Sequence, residues 1–130
     1  MRQAGASGQW ITGVVLAAGA SKRLGQAKQL LPYGGAPLLG HVLQTARGCP
    51  FDQLLCVVGG ASAEVRRWVD LRGVEVVENE AAGLHGDKGL WKLMDRLSDE
   101  VVEVEMEGSI PLDVDTWEDY RRVLLAAAHV

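Results

Sequence analysis

Hydrophobic positions along the chain fall into short blocks whose spacing changes from one block to the next. Ile11-Thr12-Gly13-Val14-Val15-Leu16 is a near-continuous apolar run rich in β-branched residues. That is the pattern of a strand buried on both faces of a parallel sheet. Leu38, Leu39, Val42, Leu43 and Ala46 recur at helical spacing. They predict a helix opened by Pro37, running through Arg47, and closed by Gly48 and Pro50. Gln53 to Val58 predicts a second strand, stopped by Gly59-Gly60. Ser62 predicts an N-cap for a helix whose apolar face is Val65, Trp68, Val69 and Leu71, with Gly73 as its terminator. Val74 to Val77 predicts a third strand. Strands alternating with helices in this way predict an α/β fold, a doubly wound and mainly parallel sheet with helices on both faces.

The rhythm then changes. Glu78 to Gly86 is a polar, glycine-bearing connection, and Asp87 starts a predicted helix with Leu90, Trp91, Leu93, Met94 and Leu97 inward. Val101 to Met106 alternates loosely, as an edge strand does. Thr116 and Asp119 approximate a capping box for a last helix, with Asp in place of the usual Glu or Gln. Its predicted apolar face is Trp117, Tyr120, Val123, Leu124 and Ala127. No internal repeat or linker interrupts the pattern, so residues 1–130 are read as one domain with a flexible N-terminus at 1–9.

Composition narrows the classes. A formal net charge of −4 argues against an electrostatic nucleic-acid binder. No apolar run is long enough to span a bilayer, and the first residues carry no hydrophobic signal core. Cys49 and Cys56 lack metal-ligand spacing and suggest no disulfide framework. The expectation is a soluble cytoplasmic protein without membrane or nucleic-acid partners. His41, His85 and His129 are read as packed, loop and terminal residues, and the tryptophans as packing residues.

The candidate chemistry lies directly after the first strand. Ala17-Ala18-Gly19-Ala20-Ser21-Lys22-Arg23-Leu24-Gly25 is a small-residue loop with two cations, and Lys28 adds a third nearby. Ligands in open α/β sheets gather beyond the carboxyl ends of the strands, and Gly19 allows a tight turn that exposes N–H groups to an anion. The loop is neither a GxGxxG fingerprint nor a Walker A motif, because Gly25 is followed by Gln26. On these grounds it is either an anion cradle or a surface turn with solvated cations.

A longer pattern adds to this. Leu16 through Pro32, LAAGASKRLGQAKQLLP, resembles the LAAGxSxRxGxxKxLLP signature of the nucleotidyltransferases that activate molybdopterin, in particular their cytidylyltransferase branch. Gly86-Asp87-Lys88-Gly89 resembles the family's GDxG segment, and Asp113-Val114-Asp115-Thr116-Trp117-Glu118-Asp119-Tyr120 resembles its closing motif. The resemblance implies a Rossmann-like nucleotidyltransferase fold and transfer of CMP from CTP (or GMP from GTP) to molybdopterin, with Mg²⁺ as cofactor and pyrophosphate released. It implies nucleotide binding by Leu16, Ala17, Ala18, Gly19, Ser21, Arg23, Lys28 and Asn79, with Arg23 and Lys28 as catalytic cations. A molybdoenzyme or its maturation factor is the implied protein partner.

One departure is large. Members of that family carry, between the third strand and the GDxG helix, a further core strand ending in GDQP, whose Asp is the principal Mg²⁺ ligand. Here Val77-Glu78-Asn79-Glu80 runs within a few residues into Gly83-Leu84-His85-Gly86-Asp87, and no GDQP occurs. The chain reads as the two ends of the family domain joined across an internal deletion. The metal ligand is therefore unknown. Asp113 and Asp115 are candidates, set against their plainer reading as the start of a helix. Asp87 carries the same ambiguity, with the N-cap reading placed ahead of a catalytic one. Glu78 and Glu80 follow a strand end and have no paired second ligand. The sequence therefore predicts nucleotide binding with turnover impaired. The alternatives are a non-catalytic nucleotide-binding module, an inactive, truncated derivative, or a transferase acting on another phosphorylated acceptor. Related sugar and isoprenoid nucleotidyltransferases share a similar first loop, although KQLLP and DVDTWEDY argue against that last alternative.

Overall fold

The first strand, β1 (Thr12–Ala17), begins one residue later than the apolar run predicts. Ile11 is instead used as an anchor. Its carbonyl accepts from Asp52 N–H at 2.8 Å and Gln53 N–H at 3.3 Å, and its N–H donates to the Asp52 carboxylate at 2.7 Å. The computed structural model describes residues 8–19, 24–79, 94–108 and 112–128.

After β1 and the loop that follows it, a short 3-10 turn (Lys28–Leu30) leads into a small antiparallel hairpin, β2 (Pro32–Tyr33) and β3 (Ala36–Pro37). Gly34 and Gly35 form its turn with φ of 57° and 86°, both positive, the conformation a two-residue hairpin turn requires. Helix α1 (Leu38–Arg47) follows at once. Pro37 sits outside it in extended geometry, because it is still paired with Pro32. The predicted start at Pro37 is thus corrected by one residue. β4 (Gln53–Val58), α2 (Ser62–Trp68) and β5 (Glu75–Glu78) complete two successive strand–helix units. A final helix, α3 (Trp117–Ala128), closes the chain.

β1, β4 and β5 form a parallel sheet in the order β1-β4-β5, with Leu16 opposite Val57 and Val57 opposite Val77. The result is an α/β fold with a mainly parallel sheet flanked by helices. Strand side chains alternate between faces. One face, with Ala17, Cys56 and Val58, packs against Leu39 and Leu43 of α1 and against Val65 and Val69. Leu43, Cys56, Val58 and Val65 are completely buried. Each such aliphatic side chain contributes about 1.5–3 kcal/mol. Burial pushes the Cys56 thiol pKa up, so the thiol stays protonated and acts as a small hydrophobe.

The other face corrects the expectation of two-sided burial. Val14 and Leu16 are 53% and 56% exposed, and among the described residues no helix packs onto them. Val42 is likewise exposed, because α1 turns only Leu39 and Leu43 fully inward. In α2, Val65 and the following Val69 take the inward positions, so Trp68, expected in the core, is 61% exposed and lies under the Arg67 guanidinium. Ser62 is not the cap of α2. Ala61 holds that position, and the Ser62 N–H is satisfied by the Gly59 carbonyl at 3.0 Å.

A second, smaller cluster joins distant parts of the chain. Leu24, Leu31 and Val114 are buried together, with Leu38, Tyr120 and Val123 packed against them. The Tyr120 hydroxyl donates to the Pro32 carbonyl. The predicted capping box of α3 is formed: Asp119 N–H donates to Thr116 Oγ1 at 3.2 Å, and Thr116 N–H donates to the Asp119 carboxylate at 3.0 Å. The Asp115 N–H, which also donates to that carboxylate, is the main cause of its lowered pKa. Trp117 and Leu124, expected inward, are partly open at 41% and 38% exposure.

The predicted edge strand at 101–106 is not formed. Those residues adopt no regular structure, and Val102, Val104 and Met106 are largely exposed. A strand needs a partner edge, and none of the sheet pairings includes this segment. The helix predicted from Asp87 falls mostly outside the described residues; 94–96 are helical, and Leu97 is 40% exposed, not inward. No helix among the described residues is long and apolar enough to cross a membrane.

Candidate functional site

The parallel strands bring three chain segments to one edge of the sheet. Ala17 ends β1 in the core, and the chain then surfaces through half-buried Ala18 to exposed Gly19. Gly59 follows β4 and closely approaches Ala18: a Cβ placed on it would stand 2.9 Å from the Ala18 carbonyl oxygen. Any larger residue at Gly59 would therefore displace the loop. Asn79 follows β5, and its N–H donates to the Val58 carbonyl at 2.8 Å. These are the carboxyl ends of the strands, where open α/β sheets receive ligands.

Gly19 plays a different part from the one its residue type suggests. It does not occupy the left-handed region, and a Cβ on it would meet nothing within 4 Å. Its value is open space beside the strand end. The positive φ in this stretch belongs to Gly25, at 69°.

The 3-10 turn sits against the loop. Gln29 is buried, and its side-chain Nε2 donates to the carbonyl of Ala17 at 2.7 Å and to that of Gly19 at 3.3 Å. Net, such bonds contribute about 0.5–1.5 kcal/mol each. The Gln29 Oε1 is buried without a partner among the described residues, which costs about 1–3 kcal/mol. Sequence reasoning passed over Gln29, although a polar residue directly before the apolar pair Leu30-Leu31 was a signal. Gly59 had been read only as a strand stop.

Lys28 precedes Gln29 and is partly exposed. Its ammonium lies 3.6 Å from the Asp115 carboxylate and 3.9 Å from that of Asp113. The second hydrophobic cluster makes this meeting possible, since Leu31 and Val114 pack together between the two segments. The structure thus brings a catalytic candidate, Lys28, to both metal candidates. Exposed ion pairs of this length are weak, so phosphate oxygens can replace the carboxylates as partners of Lys28. The two carboxylates do not by themselves make a metal site: an ammonium stands beside both, and no group of three His, Cys, Asp or Glu among the described residues could hold a metal ion. Ser21 and Arg23, like Lys22, Glu80, His85 and Asp87, lie outside the described residues. Leu16, Ala17, Ala18, Gly19, Lys28 and Asn79 are described. Leu16 points to the open face at 56% exposure, while Ala17 is buried and offers only backbone.

The model of the MobA-like NTP transferase domain matches residues 13–102, from β1 past the whole parallel sheet. The chain belongs to the MobA-like NTP transferase family. Curated relatives include the bifunctional protein GlmU of Ralstonia nicotianae, 36% identical over 101 residues, covering 76% of this chain and 22% of that protein. GlmU of Cupriavidus metallidurans is 37% identical over 106 residues, covering 79% and 23%. The chain therefore spans less than a quarter of the curated relatives it matches. Among solved structures, Rv0371c of Mycobacterium tuberculosis H37Rv superposes with a TM-score of 0.75 at 33% identity, over 90% of this chain and 98% of that one. The Rv0371c homologue of Mycobacterium sp. strain JC1 also gives 0.75, at 30% identity over 92% and 97%. A further structure is Rv0371c in complex with manganese, with a TM-score of 0.70 and 32% identity over 91% of this chain and 100% of that one.

Proposed function

We propose that this chain binds a cytidine triphosphate at the carboxyl end of its sheet, within the chemistry of molybdenum cofactor maturation. The observation that carries the reading is the close approach of Gly59 to Ala18 at that end of the sheet, with Gln29, the residue after Lys28, held to the carbonyls of Ala17 and Gly19. The small residues leave room for the nucleotide, and exposed backbone at the strand end faces the phosphates. Lys28 supplies a mobile positive charge, and Arg23 is proposed to supply a second. The LAAG sequence at 16–19 supports CTP over GTP by family resemblance. Mg²⁺ is proposed as the ion that would accompany the triphosphate; the manganese complex of Rv0371c supports a divalent ion in this fold.

In the transfer reaction, a phosphate oxygen of molybdopterin attacks the α-phosphorus of CTP. The bond to the β-phosphate breaks, and pyrophosphate leaves. Lys28 and Arg23 would act on the negative charge that collects on the departing group, and the loop would fix the α-phosphate in line with the attacking oxygen. The protein is proposed to work in the cytoplasm and to pass its product to a molybdoenzyme or a maturation factor.

A second reading has its own support. The chain has no GDQP segment, and among the described residues no three metal-ligating groups meet. Both observations favour a nucleotide-binding module that does not turn over. Pyrophosphate release, measured with CTP, Mg²⁺ and molybdopterin, separates the two. Release that requires all three establishes the transferase, whereas CTP binding without release establishes the module.

A further inference from the structure

We infer that Gln29 is a positioning residue for the nucleotide loop, a clamp that turns two backbone carbonyls away from the phosphate site. This rests on the reading of that loop as the triphosphate site. Its side-chain nitrogen holds the carbonyls of Ala17 and Gly19 at 2.7 and 3.3 Å. A peptide unit is planar and trans, so its N–H points opposite to its carbonyl. With the Ala17 carbonyl fixed toward Gln29, the Ala18 N–H is directed away from it. The negative ends of both peptide dipoles are thereby kept off an incoming anion.

The orientation of the amide is not arbitrary. Rotating it by half a turn would set its oxygen against two carbonyl oxygens, none of which can donate. The clamp also explains the buried Oε1 that has no partner among the described residues. An apolar side chain of similar length would fill the same space without stranding a polar atom. A fold that retains such an atom is using the other half of the same amide.

The test compares Gln29→Met, which keeps the length and removes the donor, with Leu54→Ala. Leu54 is buried opposite Gly13, at the far end of the sheet from the loop, and controls for lost stability alone. CTP affinity is measured by calorimetry, and backbone order parameters of Ala18 and Gly19 by NMR in the nucleotide-free proteins. We expect Gln29→Met to weaken CTP binding about tenfold, as loss of a donor worth roughly one hydrogen bond would do, and to lower both order parameters. Leu54→Ala should change neither once the fraction folded is accounted for. Unchanged CTP affinity in Gln29→Met overturns the inference. Should the unsubstituted chain bind no nucleotide, the triphosphate reading fails by itself, and the order parameters still decide: loosening specific to Gln29→Met upholds the clamp, and equal values in all three proteins refute it.

Discussion

The two hydrophobic clusters are built by different means. The larger one lies between the parallel sheet and its helices, and its members follow one another along the chain from Ala17 to Val69. The smaller one ties Leu24 and Leu31 to Val114, Tyr120 and Val123, so the last helix returns to the segment after β1. The first cluster contains completely buried side chains, whereas α3 contributes no fully buried residue to the second. The difference separates a core made by successive elements from one that joins distant segments of the chain. The sheet core holds the strand ends in place. The smaller cluster brings the Asp113–Asp115 segment to Lys28.

Substitutions should break the two clusters in different ways. Leu43→Ala empties a fully enclosed site and should lower the unfolding free energy by about 3 kcal/mol, read as a shifted midpoint in urea for the whole chain. Leu31→Ala, in the smaller cluster, should cost about 2 kcal/mol. Its effect should be regional, with faster amide exchange in 117–128 and little change in β4. Uniform acceleration would show that the clusters are one cooperative unit. Thr116→Ala removes one half of the capping box and should cost about 1 kcal/mol, confined to the first turn of α3.

The smallest effect is a pH dependence. The folded pKa of Asp119 is depressed, first by the Asp115 N–H bond and then by the Thr116 hydroxyl. Its contribution is therefore complete above the unfolded value of about 3.9 and is lost as pH falls through the lower folded value. Amide protection at the start of α3 should decline over that acidic range, and Asp119→Asn should abolish the pH response. A decline of equal size in the variant would assign the effect to other carboxylates.

How much was legible beforehand follows from the same contrast. The order of the parallel strands and of α1 and α2 could be read because each carries its own period, and the strand boundaries moved by a residue at most. The short β2–β3 hairpin was not predicted, and α2 ends at Trp68, well before the expected terminator Gly73. The capping box at Thr116 and Asp119 was legible because it is local. Which face of a helix turns inward was less so, as Trp68 and Val42 show, because spacing marks a stripe without fixing its centre. The exposure of Val14 and Leu16 could not be read from β1 alone, since it depends on what other parts of the chain place over that face. The pairing of Lys28 with Asp113 and Asp115 is a contact between distant segments, to which no local period points. Gln29 was overlooked for a related reason. Its partners are backbone carbonyls, and those leave no mark in a sequence.

The most direct measurement is a calorimetric titration of the folded chain with CTP, with GTP as the comparison and with Mg²⁺ present or withheld. Selective binding of CTP, weakened in Lys28→Ala, is the result expected of a triphosphate site at the carboxyl end of this sheet. Absence of binding by either nucleotide to a cooperatively folded chain would contradict it, and would leave the family fold without the family's ligand.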